Sequence, residues 1–319
     1  MRYSVAWSGW IVTAMRWLLV LVCLCAAAWH RPARAACSVA ERTSVPFTLV
    51  HGRLTVPLTV NGTAATFVLD TGAERSLVTP QAVQRLDLAL DQWVATTMRG
   101  VGGVVEHANA DPRSIMLGGL ALRRATLAHD ISLTVGALPA MGADTTVDGL
   151  LGRDFLSAYD LMLDMTARRL ALYEVHGCGG RFLPWPSPYQ AVTATTPMQH
   201  AMVLPIALNG VRLTALLDTG ASSSLVTLPG MIRLGLTPRE LAQDPGAEVR
   251  GVGRQAPEMH RHRFASLSVG GETIRQPLVW VAPVRVLPIV DALLGADWLD
   301  AQRRVWISFA TSQVLFEAK

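Results

Sequence analysis

Two triplets carry the strongest chemical signal in the chain, Asp70-Thr71-Gly72 and Asp218-Thr219-Gly220. Each closes a short apolar run, Thr66-Phe-Val-Leu69 and Thr214-Ala-Leu-Leu217. An Asp at the end of an apolar strand, followed by Thr and Gly, is a placed carboxylate: the strand carries it inward and the glycine permits a tight turn and a close backbone approach. One such triplet is an ordinary turn whose Asp caps its own backbone. Two at matching positions of a repeat are a different matter. A pseudo-two-fold pairing of the repeats would bring Asp70 and Asp218 together at its axis, and carboxylates about 3 Å apart cannot both ionise, so they share one proton.

The repeat extends well beyond the triplets. Pro57 to Asn61-Gly62, the run into Asp70-Thr-Gly-Ala73, and Ser76-Leu-Val-Thr79 recur 148 residues later as Pro205 to Asn209-Gly210, the run into Asp218-Thr-Gly-Ala221, and Ser224-Leu-Val-Thr227. Arg99-Gly100-Val101-Gly102 returns as Arg250-Gly251-Val252-Gly253, and Leu117-Gly-Gly119 as Val269-Gly-Gly271. Asp148-Gly-Leu-Leu-Gly152-Arg-Asp154-Phe-Leu156 is echoed by Asp291-Ala-Leu-Leu-Gly295-Ala-Asp297-Trp-Leu299. Four blocks in one order make each half a copy of one module.

The elements that must position the carboxylates are short apolar runs bounded by turn residues. Leu54 to Val60, Asn61-Gly62 and Ala64 to Leu69 read as a hairpin, as do Met202 to Leu208, Asn209-Gly210 and Val211 to Leu217. Brief helices are expected over Pro80 to Leu86, Arg153 to Ala158 and Ala296 to Ala301. Gly177 to His200, with Pro184, Pro186, Pro188 and Pro197, reads as a linker. The expected organisation is a signal segment 1–35, a first lobe 36–176, a linker 177–200 and a second lobe 201–319.

The paired triplets, together with Gly152 and Gly295 at the ends of the Leu-Leu-Gly blocks, resemble aspartic proteases of the retroviral-pepsin type. The resemblance runs from about Leu49 to Phe316. Retroviral enzymes pair two identical subunits, and this chain resembles both halves fused, in the bilobal arrangement of pepsins. The resemblance implies an all-β fold of two homologous acid-protease barrel lobes related by a pseudo-two-fold axis, with the active site in the cleft between them. It implies that Asp70 and Asp218 activate a water for attack on a peptide carbonyl and pass a proton to the leaving nitrogen, with no cofactor and no metal. Thr71 and Thr219 would lock the two loops across the axis, with Gly72 and Gly220 lining the floor. Gly100, Val101 and Gly102, and Gly251, Val252 and Gly253, fall about 30 residues after each Asp, where the family carries its substrate-covering flaps. Neither segment holds the Tyr that pepsins place there, and Ala73 and Ala221 stand where pepsins usually carry Ser or Thr. Without that hydroxyl the ionised carboxylate loses a hydrogen bond, which points to a mildly acidic optimum. Glu74 follows Ala73 whereas Ser222 follows Ala221; a structural pairing of Glu74 with Arg75 or Arg153 is expected.

Other constellations are weak. His260-Arg-His262 has a spacing compatible with a metal but no accompanying acidic or Cys cluster, so a solvated strand face is expected. Ser222-Ser-Ser224 lacks a nucleophile-elbow setting, and Gly100 to Gly103 lacks the Lys-Ser/Thr of a phosphate loop. Trp280, Trp298 and Trp306 read as core or pocket wall.

Composition fits this reading. Half of the 319 residues are apolar and 16% are charged, with 26 Gly and 18 Pro, which excludes a disordered chain, a coiled coil or a collagen-like rod. The net charge of +4 comes from the leader: taking Arg2, Arg16, Arg31 and Arg34 from the 28 Lys and Arg leaves 24, against 24 Asp and Glu. No basic surface for nucleic acid is expected. Arg2 and Arg16, the apolar run Trp17 to Trp29 and the small-x-small site Ala33-Arg-Ala35 read as an export signal cut after Ala35, with an uncleaved membrane anchor as the alternative. The remaining cysteines, Cys37 and Cys178, are expected to form a disulfide in an oxidising compartment. So little cysteine fits a bacterial periplasmic or secreted protein. The expected partner is a peptide or protein substrate, the expected state a monomer, and the rival reading a catalytically silent binder of peptides or envelope material on the same fold.

Overall fold

The computed structural model describes residues 36–100, 103–125, 130–138, 146–198, 200–248, 257–287 and 289–319. The leader 1–35 lies outside them. The chain is mostly β, and each half folds around the same hairpin. In the first half, strands Arg53–Val60 and Thr63–Leu69 pair antiparallel through Val60 and Thr63, and Asn61 and Gly62 take φ of 50° and 82°, the left-handed pair that a two-residue hairpin turn requires. The second half repeats this with Val203–Leu208, Val211–Leu217 and Asn209-Gly210 at 51° and 79°.

The second strand of each hairpin ends at the Asp and lies beside the Leu-Leu-Gly block. Gly149–Leu151 runs parallel to Thr63–Leu69, with Leu151 opposite Leu69, and antiparallel to Leu77–Val78. Ala292–Leu294 does the same against Val211–Leu217 and Leu225–Val226. These strands are central and covered on both faces, so they read as continuous apolar runs. The chain enters, turns at the Asp, and returns beside itself, which fixes the height of each carboxylate relative to the core.

A six-stranded sheet joins the halves in the order Ser38–Pro46, Arg169–His176, Asp160–Asp164, Gln302–Ser308, Gln313–Ala318, Gln190–Thr193. Its middle seam pairs Leu161 with Ile307 and Leu163 with Val305. Asp160, almost fully buried, accepts from Trp306 Nε1 at 3.0 Å and from Ala310 N at 3.1 Å, tying the seam to both halves. Trp298 and Trp306 are core residues, as their apolar neighbourhoods suggest. The segment expected as a linker is only partly one: Gln190–Thr193 adds the last strand of this sheet, because Tyr189 and Val192 carry apolar faces that bury there.

The three expected helices form as Pro80–Arg85, Arg153–Leu156 and Ala296–Asp300. Two more, Leu228–Leu234 and Pro238–Leu241, start behind Thr227 and Thr237 with proline in the first turn, and the first ends at Gly235 in the left-handed region. Cys37 and Cys178 are disulfide-bonded with Cα atoms 4.4 Å apart, at the end of the ladder in which Ser38 faces His176. The bond therefore pins the edge strand Ser38–Pro46 to its neighbour. In residues 36–319, replacing both cysteines by serine is expected to cost about 2–4 kcal/mol of unfolding free energy by urea denaturation, because the bond closes a long loop in the unfolded chain.

Candidate active site

Asp70 and Asp218 meet at the floor of a cleft of about 1550 Å³ that both lobes line. Their backbones are locked by a reciprocal lattice. Thr71 N donates to Thr219 Oγ1 at 3.0 Å, and Thr219 N donates to Thr71 Oγ1 at 3.1 Å. Thr71 Oγ1 in turn donates to Leu217 O at 2.7 Å, and Thr219 Oγ1 to Leu69 O at 2.6 Å. Both threonines are fully buried, so each hydroxyl has its donor and acceptor capacity used inside the protein.

The glycines allow the carboxyls to come together. A Cβ at Gly72 would overlap the Asp218 carboxyl, and one at Gly220 would overlap that of Asp70, so each glycine leaves the space that the opposite aspartate fills. Asp70 Oδ1 accepts from Ala73 N at 2.8 Å; Asp218 Oδ1 accepts from Gly220 N at 3.1 Å and Ala221 N at 3.0 Å. The two carboxyls also hydrogen-bond each other. Gly152 and Gly295 pack against the backbones of Arg75 and Ser223, where a side chain would collide with the loop leaving each Asp.

Below the floor, each lobe uses the same brace. Ser76 Oγ donates to Asp154 Oδ1 at 2.7 Å and accepts from Gly152 N at 2.8 Å; Ser224 Oγ does the same with Asp297 at 2.7 Å and Gly295 N at 3.1 Å. Asp148 and Asp291 accept from Thr66 N and Thr214 N and pair with Arg85 at 2.6 Å and Arg233 at 2.9 Å.

Two arginines break the symmetry. Arg153, almost fully buried, donates through Nη1 to Thr71 O at 2.9 Å and Gly72 O at 2.7 Å, and lies in the field of Asp70 and Glu74. Arg53 crosses to the second lobe and donates from Nε to Gly220 O at 2.8 Å. The repeat places Ala296 and Ala201 at the corresponding positions, so both guanidiniums come from the first lobe. The sequence points to Arg153 only as a partner for Glu74 and does not mark Arg53; each acts through backbone carbonyls, and what could have flagged them is a charged residue facing alanine in or beside an otherwise matching block.

Protein surrounds the carboxyls on every side but the cleft. Burial and the neighbouring Asp70 push Asp218 up to about 7. Asp70 is also raised by burial, against the pull of Ala73 N–H, Arg153 and Gly72 N–H. The arrangement therefore keeps a proton on the pair up to about neutral pH, with an open cleft above it.

Of the expected flap residues, Gly100 ends strand Ala89–Gly100, which pairs with Gly103–Asp111; Val101, Gly102, Gly251, Val252 and Gly253 lie outside the described residues. His260 and His262 are not on a solvated face: they are partly buried, and His262 Nδ1 lies 2.6 Å from Asp244 Oδ2. No group of three metal-ligating side chains occurs among the described residues.

A duplicated β module that gives one Asp-Thr-Gly loop to each side of a shared cleft defines a bilobal aspartyl-protease architecture. The family model described as aspartyl protease matches residues 56–155 and again 204–298, and the chain belongs to that family, as two fused copies. Comparison with curated proteins gives no match.

Replacing Thr71 by Val removes one hydroxyl and strands Thr219 N and Leu217 O in a dry interface. The expected loss is about 2–4 kcal/mol of stability, with Thr71→Ser retaining most of it. Equilibrium denaturation of both variants measures the difference.

Proposed function

We propose that the chain is an exported aspartic endopeptidase that hydrolyses peptide bonds with a water activated between Asp70 and Asp218, one from each lobe. The observation that carries this reading is the threonine lattice, which holds two like-charged carboxyls in hydrogen-bond contact at the bottom of a cleft. A binding protein gains nothing from that repulsion, whereas a hydrolase uses it: one carboxyl stays ionised as a base while the other keeps its proton as an acid.

In the reaction, the ionised carboxylate takes a proton from water as its oxygen attacks the peptide carbonyl. The protonated partner gives its proton to the carbonyl oxygen, forming a tetrahedral diol. Proton transfer to the leaving nitrogen breaks the C–N bond, releases a carboxyl and an amine, and restores the single shared proton. Arg153 and Arg53 hold the loops that carry the pair and keep positive charge close to it. The peptide lies extended across the cleft, held by main-chain hydrogen bonds and alternate side-chain pockets. The flaps expected around Gly100 to Gly102 and Gly251 to Gly253 would cover it. Family membership supports a peptidase. Export is supported by the disulfide and by the leader pattern; no helix among the described residues is long and apolar enough to cross a membrane. Two complete triplets in one chain support an active monomer, which sedimentation of the active species tests.

The direct test is cleavage of denatured casein by residues 36–319 from pH 3 to 8, beside Asp70→Asn and Asp218→Asn. Each single change is expected to lower cleavage by roughly 10²–10⁴-fold or more. Retention of peptides without cleavage by the unaltered chain at any pH would replace this reading with that of a binder.

The pH dependence follows from the raised Asp218. Activity is expected to fall as pH rises past about 7, where the second carboxyl ionises and the acid is lost. Stability moves in the same direction. The folded chain keeps a proton between the ordinary aspartate value of 3.8 and about 7 that the unfolded chain has released, so this contribution is complete below that window and declines as pH rises through it. Urea midpoints measured across pH 4 to 8 should show the decline, and Asp218→Asn should lessen it.

A further inference from the structure

We infer that the cleft is one-sided: its second-lobe flank carries a pocket for a large apolar or aromatic side chain, walled by Trp280, that the first-lobe flank lacks, so that a peptide is read in one direction. This rests on the cleft being a peptide site, the reading proposed above, and goes beyond it in naming what each flank accepts.

The two flanks can be compared residue by residue because strand register supplies the equivalences. In the second lobe Trp280 lies opposite Leu225 on a parallel strand. In the first lobe the residue opposite the matching Leu77 is Thr134. Trp280 is partly exposed and lines the cleft, whereas Thr134 is fully buried and does not reach it. The next strand over tells the same story. Thr134 faces Asn109, which lines the cleft, accepts from Thr96 Oγ1 at 2.8 Å and donates to Val94 O at 3.1 Å. Trp280 faces Arg261, and two residues before it Met259 lines the cleft.

The floors of the flanks are alike, since Val68 corresponds to Leu216 and Leu150 to Leu293, and all four line the cleft. The walls are not. Trp280, Met259, Val286 and Leu287 enclose the second flank with apolar surface resting on the core cluster of Leu216, Leu225 and Leu293. The first flank also has apolar lining, with Met98 and Leu138 resting on Val68, Leu77 and Leu150, but Asn109, Asp111 and Asp130 interrupt it and no aromatic ring is among its described lining residues; on the second flank the polar lining is Ser222, Ser223 and Glu248. An aromatic side chain buries a large apolar area, and the gain comes only where the wall is apolar as well as the floor.

An extended peptide has a direction, and a two-fold symmetric cleft accepts it equally in either orientation. Unequal walls remove that equivalence. With the large side chain seated against Trp280, the scissile bond and the chain direction are fixed together, so residues on the two sides of the cut are selected differently.

The test uses pairs of peptides identical except that the two central residues are exchanged, Phe-Ser and Ser-Phe, each made with a normal bond and with a reduced, uncleavable one. For residues 36–319, one member of the pair is expected to bind about ten- to a hundredfold more tightly, and the cleavable forms to follow the same order. Trp280→Ala should bring the pair to within about threefold and Trp280→Phe should keep the preference. Leu287→Ala, at a half-buried position that lines the cleft, should lower the preference at least threefold and serves as the readout if Trp280→Ala does not fold. Equal binding of the two peptides, or a preference that survives both alanine changes, overturns the inference. Biased binding of the reduced peptides without cleavage of the normal ones leaves the inference standing and removes the proteolysis reading; cleavage without bias does the reverse.

Discussion

The rest of the structure depends on the four hydrogen bonds exchanged by Thr71 and Thr219. Two carboxyls in contact, screened from bulk water on all sides but one, repel whenever both are ionised and lose hydration in any case. Left to themselves the two loops would separate. The lattice prevents this by making each loop complete the other: the hydroxyl of one threonine satisfies the backbone N–H of its counterpart and the carbonyl just before the opposite aspartate. Pulling the loops apart would strand four buried backbone groups and both threonine hydroxyls at once, so separation is opposed by desolvation as well as by the bonds themselves. The joining sheet, with Asp160 holding Trp306 and Ala310, keeps the lobes from opening at the other side.

Beneath that lattice the two lobes solve the same problem with the same parts. A strand that ends in an Asp-Thr-Gly loop needs something to hold its exit, and Ser76 on Asp154 and Gly152, or Ser224 on Asp297 and Gly295, does this in each copy. The first lobe adds Arg124 to this layer. Its fully buried guanidinium pairs with Asp130 and lies 3.5 Å from Asp154, over the ring of Phe155. By the same glycine-anchored register the second lobe carries Gln276 there. A buried cation of this kind is justified only by the carboxylates around it, which makes the first lobe the more polar of the two from the core outward.

How much of this was legible in the sequence follows from which interactions repeat. The hairpins, the Asp-Thr-Gly loops and the Leu-Leu-Gly strands announce themselves twice, so chance resemblance is easily discounted. The helix Leu228–Leu234 was equally legible, as the copy of Pro80–Arg85 displaced by 148 residues behind Thr227, but its glycine weakens the local propensity and hides it from a reading made segment by segment. The strand Gln190–Thr193 was not legible, because its partner Gln313–Ala318 lies more than a hundred residues away and its own composition is that of a proline-rich connection. The hold of Arg53 and Arg153 on the two loops escaped for a different reason. They bind carbonyl oxygens, which every residue has, so no spacing marks their targets.

Fusion of the copies is what makes that asymmetry possible. In a symmetric pair of identical subunits, any arginine placed near one loop appears near the other, and the charge at the axis changes in steps of two. One chain with two independent halves can place Arg153 behind Asp70 and leave alanine behind Asp218, or set Trp280 in one wall and Thr134 in the other. The aspartates, the threonines and the glycines cannot diverge in this way, because each completes its opposite number across the axis. Divergence is therefore confined to residues that touch only one loop or one wall, and these are the positions where the two halves of this chain differ in charge and size.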